Sequence, residues 1–193
     1  MNRRQFAFAI GKARTEDERL AWFGALLTRE SKLEGRLIIV GGSAIEIYLT
    51  SSKYVSMDIG VVGDKKAIAE VLQGWGFRPE EGRDNRLYWV REGLGNVDLV
   101  GPIDRSGLPP RTHTTPYGEV LLAPIEYLIL RRLMRSGREH STELFRQAEV
   151  LAAQYKRSLD WEYIKSQSLS ERVLPLYNQL REQVYPGRSR RSG

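Results

Sequence analysis

Residues 36–49 read RLIIVGGSAIEIYL and residues 56–62 read SMDIGVV. A continuous apolar run ending in two glycines suits a buried strand that feeds a tight turn. SAIEIYL continues as a short helix, with Ser43 and Glu46 at capping-box spacing, and SMDIGVV is a second strand. Where a strand turns into a helix through Gly41, Gly42 and Ser43, backbone amides can approach an anion closely, and the helix dipole favours it. The same turn is also adequately explained as structure alone, so by itself it leaves both readings open.

Residues 15–34, TEDERLAWFGALLTRESKLE, carry Leu20, Trp22, Phe23, Leu26 and Leu27 at helical spacing behind a Thr15 cap with Glu18 three residues on. GDKKAIAEVLQGWGF, residues 63–77, is a helix that Asp64 caps and Gly74 and Gly76 close. NRLYWVRE and NVDLV flank a Gly93-Leu94-Gly95 turn and pair as an antiparallel hairpin. Residues 101–116, GPIDRSGLPPRTHTTP, hold four prolines and no periodicity and are expected to be loop, leading into YGEVLLA as a last strand. From Pro124 onward every segment has helical period, with Gly137, Ser158 and Ser170 as separators. The expected class is α+β, a mixed head at 1–122, a helical bundle at 123–186 and a basic tail at 187–193.

Composition narrows the chemistry. The 193 residues contain no cysteine and two histidines, His113 and His140, which removes disulfides, thiolate metal sites and cysteine nucleophiles. Catalysis must then rest on carboxylates, Arg and Lys, hydroxyls and an oxygen-bound ion. Lys and Arg number 17 against 16 Asp and Glu in residues 1–122, and 13 against 8 in residues 123–193. The excess lies in the C-terminal part, which fits an anionic partner there or simple solubility charge. No run approaches the roughly 18 apolar residues of a membrane span. FAFAI near the N-terminus is too short for a signal h-region of about 7 residues or more, so a cytoplasmic protein without membrane association is expected.

The carboxylates stand out. Asp58 follows Gly42 by sixteen residues, and Asp98 sits between Val97 and Leu99 in an otherwise apolar strand. Strand carboxylates that project near a phosphate-binding turn form the oxygen-rich setting Mg²⁺ needs, whereas singly each would read as a strand-end cap or an arginine partner. Trp75, Tyr88 and Trp89 suit base stacking or ordinary packing. Arg83, Arg86 and Arg91 suit phosphate steering or a solvated edge, and both histidines read as surface residues.

Together these elements resemble the nucleotidyltransferase superfamily with the DNA polymerase β-like fold. IIVGGSAIEIYL matches its strand, Gly-Gly or Gly-Ser turn and helix; Asp58 in SMDIG matches the first carboxylate of Asp-x-Asp, and Asp98 in VDLV the third carboxylate. PIEYLILRRLMRSGREHSTELFRQAEVLA resembles more closely the abortive-infection toxins of type IV toxin–antitoxin pairs. The resemblance implies a nucleotidyltransferase-like mixed sheet with a C-terminal helical bundle, and transfer of a nucleoside monophosphate from an NTP to RNA or protein. It implies Mg²⁺ or Mn²⁺ on Asp58 and Asp98, nucleotide contacts from Gly41, Gly42, Ser43, Ser56, Arg131 and Arg132, and an antitoxin partner. One departure is serious: Gly60 stands where the second carboxylate of Asp-x-Asp belongs. The family also often has a lysine where Arg131 or Arg132 stands, and an acidic residue at about the place of Ser141. Gly60 makes a degenerate module that binds nucleotide, RNA or protein without turnover the alternative to an enzyme. If Gly60 is a simple loss, Gly60→Asp is expected to restore the missing ligand.

Overall fold

The chain opens with a helix its sequence does not announce. In the computed structural model, which describes residues 1–50, 58–82, 87–101 and 108–186, α1 (Arg3–Ile10) is capped by Asn2. The Asn2 side chain accepts from the Arg4 and Gln5 N–H groups, and the Gln5 side chain accepts from the Asn2 N–H. FAFAI is therefore the second half of a helix, in which Phe6 is completely buried, stacked on Trp75 at 4.0 Å, while Phe8 is exposed. α2 (Glu16–Ser31) begins as expected, its Thr15 hydroxyl accepting the Glu18 N–H. The Glu18 carboxylate takes the Arg14 N–H instead of closing a reciprocal box.

The strands and helices that follow are β1 (Ile38–Val40), α3 (Gly41–Tyr48), β2 (Asp58–Val62), α4 (Lys65–Gly74), β3 (Arg78–Glu81), β4 (Leu87–Arg91), β5 (Gly95–Leu99), β6 (Arg111–Thr115) and β7 (Gly118–Leu122). The strands form one mixed sheet in the order β3-β4-β5-β2-β1-β7-β6. β1 runs antiparallel to β2 and parallel to β7, and β2 runs parallel to β5. The expected β4–β5 hairpin forms with Tyr88 opposite Asp98, and Asp64 caps α4 through the Ala67 N–H.

Two strands depart from expectation. β3, RPEE, is exposed throughout and lies at the sheet edge, where Pro79 is tolerated because its missing N–H need not pair inward. β6 lies inside the stretch expected to be loop, pairing His113 with Val120. Pro109, Pro110 and Pro116 flank RTHTT and do not interrupt it, and its three threonines are β-branched residues that favour extended backbone.

Around the sheet, most core residues come from one face and the helices on it, with β1 buried on both faces. Ile39, Val61, Val97 and Val120 are fully buried, as are Leu26 and Leu27 of α2 and Ile68 and Leu72 of α4. Each such side chain contributes about 1.5–3 kcal/mol by leaving water. Arg91 lies over the rings of Phe6 and Phe77 and donates to the Trp75 carbonyl. Burial lowers its pKa from the ordinary value, and the like charge of Arg3 adds to this.

By its internal contacts the chain divides at Ala123 and Pro124 into two compact units. The second contains α5 (Ile125–Glu139), α6 (Thr142–Tyr155), α7 (Trp161–Ser170) and α8 (Leu174–Val184). Ser141 and Asp160 cap α6 and α7. Gly137 does not separate helices: it lies inside α5, which ends at His140 in the left-handed conformation. Arg135, and next to it Arg138, grip Glu139 and hold its carboxyl down to about 2. Among the described residues no helix is long and apolar enough to cross a membrane. Ser56, Arg83, Arg86 and the 187–193 tail lie outside the described residues.

Candidate functional site

β2 and β5 alternate in burial as half-exposed strands should. Ile59 and Val61 of β2 and Val97 of β5 point into the core, whereas Asp58, Gly60, Asn96 and Asp98 lie on the opposite face. Register fixes their relation: Asp58 is opposite Asn96, and Gly60 is opposite Asp98. The two aspartates are thus diagonal neighbours on adjacent strands and on one face. Strand spacing and rise put such positions roughly 8 Å apart on the diagonal. Asp98 is half-buried on this face and not in the core, which explains how an aspartate sits between Val97 and Leu99.

Asn96 is a residue that the sequence reading did not single out. Its Nδ2 donates to Asp58 Oδ1 at 3.1 Å, fixing one carboxylate oxygen. The available signal was its position two residues before Asp98 in an alternating strand, which guarantees a shared face. Tyr88 lies in the row of Asp98 through the β4–β5 pairing and is half-buried. Trp75 and Trp89 belong to the core, at 1% and 8% exposure, which leaves Tyr88 alone of the three on the aspartates' face.

The β1–α3 turn differs from the expected capping box. α3 starts at Gly41, so Val40 is the N-cap and supplies no side-chain cap. Ser43 falls in the first turn, completely buried, and its Oγ donates to the Val40 carbonyl at 3.1 Å. Glu46 is buried within the helix. Gly41 has φ of 69°, a left-handed conformation that glycine adopts without strain. With no cap from the Val40 side chain, the first amides of α3 are the groups an anion would meet there, while the Ser43 hydroxyl is already engaged.

Gly60 is crowded. It pairs with Val40 across β1 and β2, and a Cβ placed on it would meet Val40 Cγ2 at 2.9 Å and the Val40 carbonyl oxygen at 3.1 Å. The notion that an aspartate there simply restores a ligand therefore meets a steric obstacle. Arg131 and Arg132 lie on α5 in the C-terminal unit, the first exposed and the second buried. His113 is half-buried on β6, and His140 is exposed.

The donors suit one hard cation. Two carboxylates on one face, with water or phosphate completing the shell, is how Mg²⁺ is commonly held. They do not suit two, since Gly60 offers no oxygen, and among the described residues no three Asp, Glu, His or Cys side chains are grouped as a metal set.

No family model matches the sequence, and no curated protein resembles it detectably. Solved structures do. An antigenic nucleotidyltransferase-like protein from Paracoccidioides brasiliensis matches 88% of this chain and 93% of its own, with 14% identity and a TM-score of 0.56. ANT(2″)-Ia in complex with adenylyl-2″-tobramycin matches 84% of this chain and 96% of its own, with 15% identity and a TM-score of 0.51. The fold is nucleotidyltransferase-like, with a seven-stranded mixed sheet.

Proposed function

We propose that this chain binds a nucleoside triphosphate together with one Mg²⁺ or Mn²⁺ ion on the Asp58–Asp98 face. The observation that carries the reading is the β2–β5 register, which puts both aspartates on one accessible face, while β1, the other neighbour of β2, runs straight into an uncapped helix start. Asp58 and Asp98 would hold the ion, and Asn96 would orient Asp58. The amides of Gly41, Gly42 and Ser43 would hold phosphate oxygens. A bound ion supplies charge neutralisation for the phosphates. Arg131, Arg132 and Ser56 are nucleotide-contact candidates by family resemblance alone. An NTP ligand fits a cytoplasmic protein.

Transfer of the nucleoside monophosphate to RNA or protein, in a toxin-like enzyme of abortive-infection type with an antitoxin partner, is the second reading. Retention of both aspartates on one face favours it. The adenylylated aminoglycoside held by ANT(2″)-Ia adds a small hydroxyl compound to the acceptors worth testing.

Melting with each NTP, with and without Mg²⁺ or Mn²⁺, tests binding. An NTP at about 100 times its Kd should stabilise the chain by ~2.7 kcal/mol, only with the divalent ion present, and Asp58→Asn should abolish most of the gain. No stabilisation by any NTP overturns the reading. Labelled NTP with total RNA, lysate or an aminoglycoside then decides between holding and transfer.

A further inference from the structure

We infer that Val40, Ser43 and Gly60 form a packed unit that closes the position of the second metal carboxylate, so that this face takes one divalent ion with its nucleotide and not two. The inference rests on the nucleotide-binding reading above and specifies its metal stoichiometry.

A lost aspartate can leave space behind or can be replaced by packing, and the two have opposite consequences. Here the space is filled. Carbon atoms in comfortable contact are about 3.5–4.0 Å apart, and a Cβ at Gly60 would lie 2.9 Å from Val40 Cγ2. Val40 is 5% exposed and β-branched, so its side chain has few alternative rotamers. The second obstacle is its carbonyl oxygen at 3.1 Å from the same point. That oxygen is held in place, because it accepts the hydrogen bond from the buried Ser43 hydroxyl. The end of β1 therefore cannot retreat without straining that bond. Any side chain at 60, before its charge is considered, has to shift the Val40 side chain and press on its carbonyl oxygen.

The consequence is chemical. Two-ion sites stabilise both the attacking and the leaving oxygens, and Asp58 with Asp98 supplies donors for one ion. Such a face retains a nucleotide's phosphates far better than it activates an acceptor hydroxyl.

The test counts Mn²⁺ ions bound per chain by equilibrium dialysis with a non-hydrolysable ATP analogue and a GTP analogue, and records Tm in parallel. The full-length parent, Gly60→Ala, Gly60→Asp and the double variant Val40→Ala/Gly60→Asp are compared. The expected result is one Mn²⁺ per nucleotide-bound parent chain. Gly60→Ala, which adds no charge, lowers Tm by roughly 3–10 °C. Gly60→Asp lowers it further and gains no ion, whereas the double variant recovers part of the loss and binds a second ion. Two ions on the parent, or Gly60→Ala melting with the parent, overturn the inference. A parent that binds neither analogue overturns the nucleotide reading and the stoichiometry with it, and the Gly60→Ala melt still reports separately on the packing.

Discussion

Gly41 and Gly60 adjoin the same residue, Val40, one through the chain and the other across the sheet, and they are glycine for opposite reasons. At Gly41 a Cβ would meet nothing within 4 Å, but φ is 69°. At Gly60 no positive φ is involved, and the Cβ would strike Val40. One glycine is a demand of backbone conformation and the other a demand of space. The pair shows that a glycine in a motif cannot be assigned to a ligand, a turn or a contact until its φ and its neighbours are known.

Gly60→Asp should have the largest effect. Overpacking costs about 1–3 kcal/mol, and repulsion from Asp58 on the same strand face adds to it when no metal is present. A total of about 3 kcal/mol is expected by urea unfolding. Coupling to Val40 is the sharper readout: Val40→Ala should reduce the cost of Gly60→Asp by roughly 0.5–3 kcal/mol, the range found for side chains in contact. Additive effects would mean that Gly60 is not crowded by Val40.

Gly41→Ala comes next, at about 1–2 kcal/mol, because the left-handed conformation opposes a Cβ even in open space. Gly41→Asn should cost less, since asparagine visits that region more readily. The same two substitutions at Gly60 should rank the other way, asparagine worse than alanine, because there the added volume matters. Equal rankings at both positions would erase the distinction.

Sequence alone revealed the parts of this architecture that depend on local chemistry. The Thr15 and Asp64 caps were readable because hydroxyl and carboxylate side chains satisfy helix amides two or three residues away. The β4–β5 hairpin was readable from alternation around a glycine turn. α1 was hidden because FAFAI invited comparison with a targeting segment, while its cap, Asn2, and the reciprocal Gln5 are ordinary polar residues. β3 and β6 were hidden by prolines, which occupy an edge in one case and flank the strand in the other. In the site, Asp58 and Asp98 were visible as carboxylates in strands. Asn96 was missed: alternation puts it on the face of Asp98, but a neutral amide there points to no role until its partner is known. The packing of Val40 on Gly60 joins residues twenty positions apart, and only register brings them together.

Ser43 gives the smallest expected effect and divides the turn's two roles. Its hydroxyl is buried and donates to the Val40 carbonyl at 3.1 Å, so Ser43→Ala removes one neutral hydrogen bond at a cost of about 1 kcal/mol. If α3 holds phosphate through backbone amides, the variant keeps its N–H and should bind NTP with the parental Kd once its lower stability is allowed for. A hydroxyl that contacts phosphate directly would instead have to leave the Val40 carbonyl, and the variant would lose binding by far more than it loses stability. Freeing the Val40 carbonyl should also ease the crowding at Gly60. Combined with Gly60→Ala, Ser43→Ala should therefore destabilise by less than the two single changes together. A measured sum equal to the parts would show that the Ser43 bond does not hold Val40 against Gly60.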